Sequence, residues 1–178
     1  MTVLPIVTAP DPRLKIKSEP VEKITPEIQR FMDDMLETMY ATGGIGLAAV
    51  QVGVHKRILV MDVDHGSSRY PDSQKGEHNP LFLINPEIVS ESEEKNTYDE
   101  GCLSFPGQYA EVVRPKRVKV KYLDYNGKPQ ELEADELLAT CVQHEIDHLN
   151  GVVFVDHIST LKRDIIMRKL KKKKKHES

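Results

Sequence analysis

Residues 143–151 read QHEIDHLNG, and the spacing His144-Glu145-x-x-His148 within them constrains this chain more than any other feature. On a helix, positions i and i+4 project from one face about a turn apart, so two imidazoles so placed converge on one metal ion. Glu145, beside the first imidazole, reaches a water held by that ion and can take its proton. The segment is predicted helical, with Asp135 as N-cap, an end near Asn150 and Gly151 just beyond it. Two histidines and a glutamate also share a helix surface by chance, so the metal reading calls for a third ligand.

Cys141 shares the helical face, at i, i+3 and i+7 with His144 and His148. A rise of about 1.5 Å per residue separates it from His148 by about 10 Å along the axis, too far for one ion with metal–sulfur bonds near ~2.3 Å. Cys141 is therefore read as a small buried residue beside the site, and the third ligand as coming from another segment. Cys102 is the better choice. It stands in Glu100-Gly101-Cys102-Leu103-Ser104, where Gly101 permits close approach of another backbone and Leu103 can offer a free N–H. One thiolate and two imidazoles leave a tetrahedral position open for water, the mark of a catalytic site. His55, His65, His78 and His157 show no ligand-like spacing to these elements.

The frame around this motif reads as a single domain over residues 1–178, since 178 residues suffice for one core and not for two. Helix-spaced Ile28, Phe31, Met32, Met35, Leu36 and Met39 predict a core-facing helix over Pro26–Ala41, capped by Thr25 and ended by Gly43 and Gly44. The Met stripe is read as packing. Strands are predicted at 57–63 and 81–89, separated by an exposed polar loop at 65–80. Alternating Val118, Val120 and Tyr122 predict another strand, and Asn126-Gly127 turns it into a partner at 129–134. A last helix starts near Thr160, with Leu161, Ile165, Ile166 and Leu170 on one side, and ends in five lysines. Residues 161–178 are thus a C-terminal helix and polybasic tail. Residues 162–178 carry a net charge of +7, against −10 on the rest of the chain. No apolar run approaches the roughly 18 residues that cross a bilayer. The N-terminus lacks a secretory pattern, so a cytoplasmic protein with free thiols is expected.

Three segments together resemble one family, the peptide deformylases: residues 44–51 (GIGLAAVQ), residues 100–104 (EGCLS) and residues 143–151. They stand in the family's order and at comparable spacing, and the likeness extends from roughly Leu14 to Leu161. The resemblance implies an α+β fold in which antiparallel β-sheets surround a central helix bearing the His-Glu-x-x-His motif, with an N-terminal and a C-terminal helix. It implies removal of the N-formyl group from newly made polypeptides that begin with formyl-methionine, releasing formate. Cys102, His144 and His148 would hold the metal, and Glu145 would be the general base toward metal-bound water. Gln51, through its side-chain amide, and Leu103, through its backbone N–H, would bind the oxyanion. By analogy the peptide lies extended beside Ile45–Gly46 and Gly101–Leu103, while Ile45, Leu137 and Cys141 line the methionine pocket and Glu100 supports the loop. Leu137 reads equally well as core. Two features depart from the family pattern: the 65–80 loop is longer than in similar bacterial members, and Tyr109 stands where Arg is common.

By softness and geometry the ligand set suits zinc, whereas the resemblance points to ferrous iron with nickel, cobalt or zinc as substitutes. The polybasic helix invites docking on ribosomal RNA, against the plainer reading of a frayed, solvated tail. A zinc metallopeptidase shares the helix motif, but Cys102 and Gln51 argue against it. A metal-stabilised binding module without catalysis leaves Glu145 and Gln51 without a task.

Overall fold

The computed structural model describes residues 2–66 and 77–177. Its N-terminal helix α1 (Pro26–Ala41) begins where Thr25 Oγ1 accepts the Ile28 N–H at 3.2 Å, and Met32, Met35 and Met39 are fully buried along one face. Gly43 leaves the helix with a positive φ of 74°, a conformation glycine adopts at little cost.

Five strands then form one antiparallel sheet in the order β1 (Gly46–Ala48), β2 (Ile58–Met61), β3 (Leu81–Glu91), β6 (Arg117–Leu123) and β7 (Pro129–Asp135). The sheet has helices on both faces, which explains why every residue of β2 is buried. Ile58 and Val60 pack with α1, Leu47 and Ile84. Leu59 and Met61 face the other way, toward Val142, Ile146 and Leu149 of helix α2 (Glu136–Leu149). The predicted β6–β7 turn is present, with Gly127 at φ 81° and its N–H donating to the Asp124 carbonyl.

Strands β1, β4 (Lys95–Cys102) and β5 (Phe105–Pro115) were not anticipated from the sequence. The latter two make a separate two-stranded antiparallel sheet, and Leu103 and Ser104 sit at its turn. Among the described residues the fold is therefore α+β, with two antiparallel sheets and three α-helices.

Three expectations need adjustment. Asp135 occupies the N-cap position of α2, yet its side chain makes no capping hydrogen bond. It is still paired with Arg117 in the sheet, and the chain turns sharply at Glu136, whose φ is +49°. In the C-terminal helix α3 (Thr160–Glu177), only Ile166 and Leu170 of the four apolar residues are buried, while Leu161 is 71% exposed. The lysine run is helical rather than frayed, and Lys174 Nζ donates to the Thr8 carbonyl at 2.8 Å. Of the polar loop expected at 65–80, residues 67–76 lie outside the described residues. No described helix is long and apolar enough to cross a membrane.

Candidate metal centre and its surroundings

Helix α2 is buried on nearly every side, so its polar residues must find partners inside the protein. His144 and His148 project one turn apart with ring centroids at 5.0 Å. The end of β4 brings Cys102 to them. Potential ligand atoms of Cys102, His144 and His148 all lie within 4.8 Å of one another, and all three residues are buried. The Cys102 Sγ to His148 Nε2 distance is 3.3 Å. Cys141 stays outside this trio, donating its thiol to the Ile45 carbonyl at 3.6 Å. Burial pushes the Cys141 thiol pKa well up, which keeps it neutral beside the site.

The orientation of the first histidine is set from behind. His144 Nδ1 lies 2.9 Å from Glu100 Oε1, and because a carboxylate only accepts, Nδ1 carries the proton and Nε2 is left for the ion. Glu100 is in turn gripped by Arg114 through two bonds, at 2.6 and 2.9 Å. Arg114 also donates to Asp147 at 2.8 Å, and Asp147 faces His157 Nε2 at 2.8 Å. Burial works against a charged Glu100, but the hydrogen bonds from His144 and Arg114 overcome it and hold the carboxyl at about 2. Arg114 was not singled out in the sequence. Its signal is β-alternation: it stands two residues after buried Val112 and so faces inward on the same side of β5.

Glu145 lies on the cavity side of α2. Its Oε1 is buried and has no hydrogen-bond partner. Burial, reinforced by the negative charges of Glu100 and Asp147, raises its pKa to about 7, with His144 and Arg114 opposing. Gln51 belongs to a 3₁₀ turn after β1 (Ala49–Val52), and its amide is fully committed in direction. Oε1 accepts from Ala48 N–H at 2.9 Å, which turns Nε2 toward Cys102 Sγ at 3.3 Å and Ser104 Oγ at 3.1 Å.

One cavity is lined by Ile45, Gly46, Gln51, Glu100, Gly101, Cys102, Leu103, Leu137, Cys141, His144 and Glu145, joined by Gly44 and Thr140. Every residue expected at the site is therefore gathered here except His148, which completes the ligand trio. Thr140 was not foreseen. The donor set fits a divalent ion of intermediate softness: one thiol, two imidazoles and an unpartnered buried carboxylate oxygen close by.

Comparison with known proteins gives the family. Residues 3–164 match the family model described as polypeptide deformylase. The peptide deformylase of Rickettsia akari is 56% identical over 175 residues, covering 98% of each chain. That of Rhizobium meliloti is 54% identical, over 97% of this chain and 94% of its own. The crystal structure of peptide deformylase from Ehrlichia chaffeensis superposes with a TM-score of 0.89 at 51% identity, covering 99% of both chains. The same enzyme in complex with actinonin also gives 0.89, at 53% identity over 97% of this chain and 98% of the other. The chain belongs to the polypeptide deformylase family.

Proposed function

We propose that this chain removes the N-formyl group from N-formylmethionyl peptides, releasing formate. The observation that carries the reading is the unpartnered Glu145 Oε1 in the cavity beside the Cys102, His144 and His148 trio. A buried carboxylate oxygen without a partner is costly, and a base waiting for a water accounts for it. Cys102, His144 and His148 would hold a divalent ion, which supplies Lewis acidity toward the formyl oxygen and toward water.

The chain's own residues do the rest. Glu145 takes a proton from the attacking water and delivers it to the leaving amine. The Gln51 amide, fixed by Ala48, and the Leu103 N–H at the β4–β5 turn receive the oxyanion as it forms. The peptide lies extended along β1, an edge strand of its sheet, and reaches Gly101 on β4 opposite. Ile45, Leu137 and Cys141 line the methionine pocket, and Glu100 orients His144. Ferrous iron is the proposed native ion, with zinc, nickel or cobalt as substitutes. The catalytic unit is residues 1–178 in the cytoplasm, with α2 at its centre and residues 161–178 forming the helix and basic tail.

The test is formate release from a formyl-Met peptide by metal-loaded protein, compared with Glu145→Ala at equal metal content. Cleavage of an unformylated peptide instead would favour a metallopeptidase. For the tail, α3 presents its lysine run on a helix, which suits docking on ribosomal RNA. Removal of residues 171–178 should lower ribosome affinity at low salt, and an unchanged affinity would end that reading.

A further inference from the structure

The proposed deformylase site leaves unexplained an aromatic and imidazole cluster just behind the cavity. His65 Nε2 lies 2.8 Å from the Gly44 carbonyl. A carbonyl offers only lone pairs, so Nε2 carries the proton and donates. The His65 ring is held edge-on to Tyr40, with centroids at 4.9 Å, and His78 stacks on the same Tyr40 at 4.9 Å and 23°. Tyr40, in the last turn of α1, donates its hydroxyl to Asp62 at 2.5 Å. Asp62 is buried and also accepts from the Asp64 and Asn79 N–H groups, each at 3.0 Å. The imidazole that touches Gly44 is therefore braced by α1 and by the end of β2.

The consequence falls on the N–H of the same peptide group. The Gly44–Ile45 bond is trans, since the cis peptide among the described residues is elsewhere. In a planar trans peptide the C=O and N–H point in opposite directions. Fixing the Gly44 oxygen on the His65 side therefore aims the Ile45 N–H away from His65. That N–H donates to no described residue, although the Ile45 carbonyl accepts from Asp62 N–H at 2.8 Å. On its other side Gly44 is held by its own N–H, which donates to the Met39 carbonyl at 3.0 Å.

We infer that His65 is a positioning residue for the substrate backbone: it holds the Gly44–Ile45 peptide so that the Ile45 N–H meets an extended formylated peptide. The inference rests on the deformylase reading. It separates binding of the peptide from chemistry on the formyl group, because His65 touches neither the ligand trio nor Glu145 among its described contacts.

The test compares His65→Gln, which keeps a donor, with His65→Leu, which removes it, at matched metal content; His65→Ala replaces the leucine variant if that precipitates. Loss of one positioned hydrogen bond is expected to raise KM for a formyl-Met tripeptide about five-fold in His65→Leu, with kcat changed less than about two-fold. His65→Gln should recover most of the KM. An unchanged KM in the donor-less variant would overturn the inference alone. So would a fall in kcat equal to the rise in KM, or a Gln variant no better than Leu. Absence of formate release by the wild type would remove the deformylase reading and the inference with it.

Discussion

Gly46 and Glu145 touch across the cavity: a Cβ added at Gly46 would stand 2.5 Å from Glu145 Oε2 and 2.9 Å from Cys141 Sγ. The edge strand β1 is thus pressed against the face of α2 that carries the proposed base, and only a hydrogen fits between them. Gly46→Ala must push the carboxylate aside or open the β1–α2 contact. Misplacement by about 1 Å costs on the order of 100-fold in rate, so kcat for formate release should fall by about that factor with metal content unchanged.

Replacement of Glu145 by Gln keeps the shape and removes the proposed base, and should lower kcat by about 10²–10⁴-fold. The pH profile carries a sign. Burial raises Glu145 to about 7, the acting form is the carboxylate, and a bound cation favours that form. The wild-type rate should therefore fall with acidification, along a limb whose midpoint lies at or below about 7. A rate that rises toward acid would contradict the assignment.

Arg114 joins Glu100 and Asp147, and both carboxylates lie against the ligand helix or its ligands. Arg114→Met leaves two partly or fully buried carboxylates without their cation, a loss of roughly 3–5 kcal/mol when a buried pair is broken. His144 also loses its fixed orientation, and metal affinity should drop about 10- to 100-fold. Urea unfolding and metal titration measure the two effects separately.

Asp156 ties the end of α2's following turn to both termini. It accepts the Val153 N–H at 3.0 Å, pairs with Lys15, and faces Arg163 of α3 at 3.4 Å. Burial opposes its charge, but Lys15 and the Val153 N–H lower its pKa below the ordinary 3.8. A depressed folded pKa contributes stability above the unfolded value, lost as pH falls through the folded one. Asp156→Ala should cost about 1 kcal/mol at pH 7. The gap to wild type should shrink below the ordinary carboxyl value of 3.8. Paired denaturant titrations at the two pH values check this.

What the sequence made legible was mostly local. Thr25 and the Met32, Met35 and Met39 spacing announce α1, Asn126-Gly127 announces the β6–β7 turn, and the His144–His148 spacing needs only one helical turn. The β4–β5 hairpin was missed because its apolar alternation is interrupted. Glu100 and Arg114 are buried where a strand pattern expects hydrophobes, Pro106 and Gly107 read as breakers, and Val113 is exposed. A charge pair satisfied across 14 residues leaves no periodic trace. His65 was invisible for a similar reason: its partner is a backbone carbonyl 21 residues away, and no side-chain pattern encodes that.

The Cys102, His144 and His148 trio is proposed to hold an ion that Glu145 serves in deformylation. The most direct measurement is anaerobic purification with metal analysis, followed by a formate assay on a formyl-Met peptide. The account predicts about one divalent ion per chain and formate release that Glu145→Ala abolishes without loss of metal. Retained metal with no formate release, even after reconstitution with iron or nickel, would contradict it.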